Sequence, residues 1–458
     1  MIAMTSSKFR VSKEHFYDAY DFEVDDKCEQ LKLDFSISQE LWAHVFILKN
    51  GEQIGQTLLT HEQVTRQVIV GKKAMMTSPT VLPQEQLSGH WRILFFITGI
   101  GNSEEEFGIS YETIANESKV SESEIDLLTE VPQVKSKGDW VKGDLHTHTL
   151  YSDGRMTRKK NLEVAKQQQL DFFAATDHNI VTAIWPKDTD VLVIPGCELT
   201  TEFGHCNYWG VTKEILNITD AEKMLKPATI AQLIEENEGE GILSINHSFL
   251  HPWEWQVDIP IRLITAYEII NDPTNPDNDG ATKKALAYWT KLWNSGWKIT
   301  GVGGSDSHML PTEHYPDANQ PSIMGDPSTF VHVKELTEEN VLDGIKKGAT
   351  IVSRVGKINF TSQDDDDLVP GKQVAVGTRR FSLDLESKDS YVINWVFDGK
   401  IVKSSKKSQS SYELKQKIAG YHWLRADVLS DDGLLQATFT PVYWGEKIPS
   451  TSTFKELL

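Results

Sequence analysis

The stretch GDLHTHTLYSDG (143–154) sets His146 and His148 two residues apart and puts Asp153 in a Ser-Asp-Gly turn. On a strand, residues i and i+2 share a face, so two imidazoles at this spacing could serve one metal ion. On its own the pair fits an ordinary strand equally well. Further candidates recur downstream: His178 in ATDHN, Glu198 in GCE, His205 in GHCN, His247 in INH, and Asp306 and His308 in GGSDSH. All nine side chains are imidazoles or carboxylates, the donors that suit zinc, manganese or iron. They exceed the three or four ligands of one catalytic zinc, so two or three divalent ions are expected. Clustered ionisable groups are costly to bury without a cation. Cys197 and Cys206 lie in the same region and read as small packing residues, because the nitrogen and oxygen set is complete without a thiolate.

The chemistry this implies is hydrolysis. Two ions about 3.5–4 Å apart can share a water and lower its pKa towards neutrality. The bridging hydroxide would attack a phosphorus or a carbonyl carbon. Phosphoryl transfer then needs mostly positioning and charge neutralisation. Arg354 in IVSR and Arg155 after SDG are candidate supporting cations, and His308 and His178 are candidate general acids. Asn271 in EIIND, His251 in the loop after NHSFL, and Arg155 are candidates for substrate contact. Trp253 and Trp255 share the His251 loop and read as loop packing, with a stacking wall for an aromatic or nucleoside group as the alternative.

The elements that must position these residues lie between about 140 and 358. Short apolar runs at 172–176, 191–196, 241–246, 266–272 and 299–306 alternate with helical patterns at 158–169, 229–239, 281–296 and 337–348. Such alternation implies parallel strands with helices outside, and active sites in those folds gather at the C-terminal strand ends. Every candidate ligand falls at the end of a strand candidate or in the loop after it; His205 falls in such a loop. The flanks read differently. Residues 8 to about 130 carry strand-like runs at 31–37, 41–50 and 90–100, and alternating strands return after 359. Residues 121–128 read as a short helix or a linker, and 131–139 as a boundary. The expected domains are therefore 1–135, 138–358 and 359–458. The four aspartates in SQDDDDLVPG (362–371) read as a solvated loop, since no spaced acceptor pattern surrounds them.

Bulk properties narrow the classes. A formal net charge of −20 over 458 residues excludes a sequence-independent nucleic-acid binder and disfavours docking on an anionic membrane. It still permits a small anionic substrate where a metal supplies local positive charge. Three cysteines, Cys28 among them, offer no disulfide framework and fit a reducing compartment. The start has no apolar h-region, and no run approaches 18 apolar residues. The expectation is a cytoplasmic protein acting on a small, phosphorylated molecule, with oligomerisation and a processed exported form left open.

The ordered series HTHTLYSDG, ATDHN, GCE, GH, NH and GGSDSH resembles the PHP (polymerase and histidinol phosphatase) metal-dependent hydrolases across roughly 140–358. GCELTTEFGHCNYWG, YEIIND, a Trp-containing helix before ITGVGGSDSH, IVSRVG and FTPVYW resemble one branch, the carbaryl-hydrolase-like CehA/McbA group. The resemblance implies an α/β fold, a distorted (β/α)7 TIM-like barrel flanked by β-sandwich-like domains, with a trinuclear site at the strand ends. Carried over by position, it implies a first ion on His146, His148, Glu198 and Asp306. Glu198 would bridge to a second ion held with His205 and His247, and Asp153, His178 and His308 would hold a third. Asp177 would support ligands without being one. The activity implied is that of a phosphoesterase on phosphomonoesters or phosphodiesters. The alternatives are a carbamate, amide or carboxylic-ester hydrolase, and a non-catalytic module binding metal and a glycan or protein.

Overall fold

The computed structural model describes residues 4–38, 41–120, 125–127, 139–182, 184–186, 190–212, 221–387, 389–415 and 418–458. The chain is mixed α/β and dominated by strands, with four α-helices among the described residues. None of its described helices is long and apolar enough to cross a membrane. The boundary expected near 135–138 lies outside the described residues. Ile125–Leu127 is a strand, antiparallel to Ile184–Pro186, where a helix or linker was expected. Ile125 and Leu127 flank Asp126 with the two-residue period of a strand.

The N-terminal region forms two four-stranded antiparallel sheets. One orders Met4–Val11, Glu105–Ile114, Gln30–Ile37 and Thr65–Gly71; the other orders Tyr17–Val24, Gly89–Thr98, Trp42–Lys49 and Glu52–Leu59. Leu31, Leu33 and Phe35 alternate with Lys32 and Asp34, and the apolar set meets Ile93, Phe95 and Ile97 in one core. The second sheet is apolar on its other face too: Phe46, Leu48, Leu94 and Phe96 join the core of the middle region. That two-sided burial is why residues 93–97 are an unbroken apolar run within the strand-like stretch 90–100.

In the middle region the expected runs form the strands Phe172–Ala175, Leu192–Thr201, Ile242–Ile245, Ala266–Asn271 and Thr300–Gly304. The expected helices lie at Arg158–Gln167, Pro227–Glu236, Asn278–Ser295 and Glu338–Lys346. Asp139–Asp144, Phe172–Ala175 and Leu192–Thr201 run parallel, as do Ile242–Ile245, Ala266–Asn271 and Thr300–Gly304. Between the two blocks sits Gly204–Trp209, antiparallel to both neighbours. His205 is therefore on a strand and not in the loop expected for it. The reversal needs Gly204, whose φ is +106° and whose added Cβ would lie 2.6 Å from Trp255 Cα. A regular seven-fold strand–helix repeat is not shown, because antiparallel ladders interrupt the parallel ones.

One edge of the sheet, Thr300–Gly304, folds back against two strands in its interior. Thr329 Oγ1 donates to Gly303 O at 2.7 Å and accepts from Gly303 N at 2.9 Å; Thr350 Oγ1 donates to Gly301 O at 2.8 Å. Threonine side chains thus join Thr300–Gly304 to Ser328–Val333 and Thr350–Ser353 without a main-chain ladder. Gly303 permits the approach: a Cβ there would lie 2.6 Å from Val352 Cγ1. Beyond Thr350–Ser353 the same sheet continues antiparallel through Leu435–Phe439, His422–Leu429 and Tyr391–Phe397. These strands share a core of Phe360, Phe381, Trp395 and Phe439 with a separate three-stranded sheet, a sandwich-like arrangement. In the 362–371 loop, Asp364 pairs with Arg380 and Asp365 with Lys372.

Candidate metal centre

The parallel strands deliver their C-terminal ends to one place. His146 and His148 follow Asp139–Asp144 in an extended segment and are fully buried, their rings 5.2 Å apart. His178 follows Phe172–Ala175, and Glu198 lies within Leu192–Thr201. His247 follows Ile242–Ile245, and Asp306 and His308 follow Thr300–Gly304. His247 and Asp306 both take positive φ, 22° and 48°, which residues other than glycine rarely adopt away from functional turns.

Glu198 is the hub. Its carboxylate lies 3.1 Å from His146 Nε2, 3.6 Å from His148 Nε2, 2.8 Å from His178 Nδ1, and 3.3 Å from both His205 Nδ1 and His247 Nε2. Burial alone would raise this carboxyl group, but the imidazoles of His146, His205 and His178 hold it well below the usual carboxylate range. Asp306 Oδ1 sits 3.3 Å from His146 Nε2 and 3.0 Å from His148 Nε2. Asp153 Oδ1 sits 3.4 Å from His178 Nε2 and 3.2 Å from His308 Nε2.

Ligand atoms within 4.8 Å of one another form four overlapping sets: His146, His148 and Asp306; His146, Glu198 and His247; His178, Glu198 and His205; and His148, Asp153, His178 and His308. The overlap puts His148 beside the Asp153 group as well as the Asp306 group.

The fit to a cation can be tested on hydrogen bonding. Buried His146 Nε2, His148 Nε2, Asp153 Oδ1, Glu198 Oε2, His205 Nδ1, His247 Nδ1 and Asp306 Oδ1 have no hydrogen-bond partner. Leaving a buried polar atom unpaired costs about 1–3 kcal/mol. Seven such atoms on seven adjacent, converging side chains make a donor set that divalent cations satisfy, with nitrogen and oxygen only. The buried cysteines are not part of it; burial pushes the Cys206 thiol well up, as for a packing residue.

Carboxylates behind the cluster aim it. Glu268 Oε1 lies 3.1 Å from His146 Nδ1, which leaves Nε2 for the cluster, and Glu268 Oε2 accepts from His247 N at 2.8 Å and Asn271 Nδ2 at 3.1 Å. Asp177 is turned away from the cluster and accepts from Thr149 N, Ser152 Oγ and Thr182 Oγ1 at 2.7 Å each, fixing the loop that carries Asp153. Asp144 accepts from His146 N, Ser305 N and Gly325 N; burial nevertheless raises it to about 6.

Glu268 and Asp144 were not singled out from the sequence. The available signal was a lone charge inside an apolar strand run, as in AYEII, where burial demands a partner. Glu268→Gln is expected to weaken metal affinity about 10- to 100-fold. The amide would donate to His146 Nδ1 and place the ring proton on Nε2, facing the cluster. Competition against a chromogenic chelator measures this, and unchanged affinity would contradict the role.

The substrate candidates divide. Asn271 lines the cavity over the cluster and donates to Asp306 Oδ2 at 3.3 Å. Arg354 is not brought there; its guanidinium grips Asp326 at 2.8 and 2.9 Å and faces a small cleft elsewhere. Arg155 spends its charge on Glu62 and Glu313 at 2.9 and 3.1 Å. The His251 side chain is 86% exposed and pairs with Glu254. Trp255 packs in the core beside Phe454, whereas Trp253 lines the cavity and is 46% exposed.

No family model matches this chain, and no curated protein matches it. Among solved structures it is similar to a two-domain protein from Bacteroides vulgatus containing a predicted PHP-like metal-dependent phosphoesterase, at 15% identity over 68% of this chain and 97% of that one, with a TM-score of 0.38. It is also similar to a provisionally assigned metal-dependent phosphoesterase from Bifidobacterium adolescentis, at 11% identity over 40% of this chain and 93% of that one, with a TM-score of 0.26. At these levels of likeness, function has to be read from the side-chain cluster.

Proposed function

We propose that the chain is a metal-dependent hydrolase of the PHP type, acting as a phosphoesterase on a small phosphomonoester or phosphodiester. The observation that carries this reading is that seven side chains with unpartnered, buried polar atoms gather at one end of the curled sheet in four overlapping ligand sets, two of which contain Glu198. On this reading the sheet is a distorted barrel over 138–358, with sandwich-like units at 1–135 and 359–458.

His146, His148 and Asp306 would hold one ion, Glu198 with His205 and His247 a second, and Asp153, His178 and His308 a third, with zinc, manganese or iron as the fitting metals. When bound, such ions acidify water and neutralise phosphoryl oxygens. His178 and His308 both turn Nε2 to Asp153, so we place them as ligands; a ligated nitrogen holds no proton for a leaving group. Asn271 would orient Asp306 and meet substrate from the cavity wall.

One observation favours carbamate, amide or carboxylic-ester hydrolysis instead: among the described residues, no lysine or arginine lines the cavity. A neutral electrophile needs none. A panel of p-nitrophenyl phosphate, bis-p-nitrophenyl phosphate and an aryl carbamate separates the readings on the manganese-, zinc- or iron-loaded protein. Turnover of a phosphate ester is expected, and carbamate turnover without it would replace our reading with the second.

A further inference from the structure

We propose that the N-terminal sheet completes the substrate cavity, and that Trp42, Leu58 and Phe96 on its outer face select an ester bearing an uncharged, ring-sized apolar group. The inference rests on the hydrolase reading and adds the substrate class. The cavity above the cluster measures about 470 Å³, within the range for a small-molecule site. Its floor is made by Asp153, His178, His205, His247, Asp306 and His308, and the N-terminal sheet supplies an opposite wall.

That wall is unusual for a sandwich. The outer face of an isolated sandwich sheet is polar. Here Phe46, Leu48, Leu94 and Phe96 point away from the sandwich core and into the middle region. Phe96 stacks on His44 with ring centroids 4.4 Å apart, and both line the cavity.

The wall is also pinned in place. Asn179, next to His178, donates to His44 Nδ1 at 3.4 Å and to Thr200 O at 2.9 Å. Arg66 of the N-terminal region donates to Leu150 O at 2.6 Å and Ser152 O at 2.9 Å, in the loop that carries Asp153. Arg66 lies on the neighbouring sheet and donates from Nε to Leu58 O of the wall at 3.0 Å, so the N-terminal region is bonded to two segments that present candidate ligands.

Along Trp42, Leu58 and Phe96 the cavity offers the rest of a substrate apolar surface, and among the described residues its lining holds no lysine or arginine. Arg155 and Arg354, the charged candidates nearest in sequence to the motifs, are held by acids outside the cavity. A ring lying on Trp42 and Phe96 gains apolar burial and aromatic contact, and a second charged group there would lose its water without a partner.

The test uses the full-length, manganese-loaded protein and two phosphodiesters with the same leaving group, phenyl p-nitrophenyl phosphate and ethyl p-nitrophenyl phosphate. The unmodified protein is expected to prefer the phenyl ester by about tenfold in kcat/KM. In Trp42→Ala, and in the milder Phe96→Leu, the loss is expected to fall at least about fivefold harder on the phenyl ester than on the ethyl ester. Calorimetric binding of diphenyl phosphate is expected to weaken in parallel, while metal content stays the same. Equal losses on both esters, or unaltered preference and unaltered diphenyl phosphate binding, would overturn the proposal. If the unmodified protein cleaves neither ester yet binds diphenyl phosphate in a Trp42-dependent way, the cavity assignment stands and the phosphoesterase reading fails.

Discussion

Glu198→Gln is expected to lower kcat/KM by on the order of 10³-fold, about 4 kcal/mol of transition-state stabilisation, and to remove metal as well. The reason is its position. Among the described residues it is the only carboxylate within 3.6 Å of five imidazoles, and it belongs to two of the four candidate ligand sets. Asn246 Nδ2 donates to Oε1 at 2.9 Å and holds the carboxylate in place. Glutamine keeps the shape and loses the charge, so the fold is expected to persist while the anion proposed to hold metal is lost. Steady-state kinetics beside elemental analysis checks both effects. Near-normal turnover with full metal content would show that Glu198 is a structural partner of the histidines.

Metal removal is expected to destabilise the middle region strongly. Ions that bind only the folded chain stabilise it by about 2.7 kcal/mol at a free concentration 100 times Kd. Removing even one such ion should lower the melting temperature by roughly 5–10 °C for a unit of 150–250 residues. The effect should be large here because seven buried polar atoms of the cluster have no hydrogen-bond partner and would be left unpaired on chelation. Scanning calorimetry with and without a chelator, followed by manganese add-back, reads it directly. An unmoved transition would mean that the cluster is stable without cations.

Much of the cluster was legible because each candidate is polar and stands just where an apolar run stops. FFAAT precedes Asp177-His178, GILSIN precedes His247, and ITGVGG precedes Asp306. Residues that act from inside the strands were less legible. Glu268 sits within an apolar run and Asp144 closes the mixed strand DWVKGD, and only their partners show that they aim the ligands. The pairing of charges was also hidden. Arg155 and Arg354 lie beside motifs in sequence, yet Glu62, Glu313 and Asp326 capture them through the fold. The wall of the cavity had a signal that was open to two meanings: HWRILFFITG fits any buried strand, and periodicity cannot say that its second face covers a site in another region. The antiparallel strand carrying His205 was masked because GHCNYW begins with a glycine that reads as loop but serves as the corner of a hairpin.

These nine side chains are proposed to form one multinuclear centre, and the metal content of the 458-residue chain tests this most directly. Elemental analysis of protein loaded with manganese, zinc or iron and freed of excess ion should find two or three divalent ions per chain. Fewer than two, with all nine residues intact and the protein folded, would contradict it.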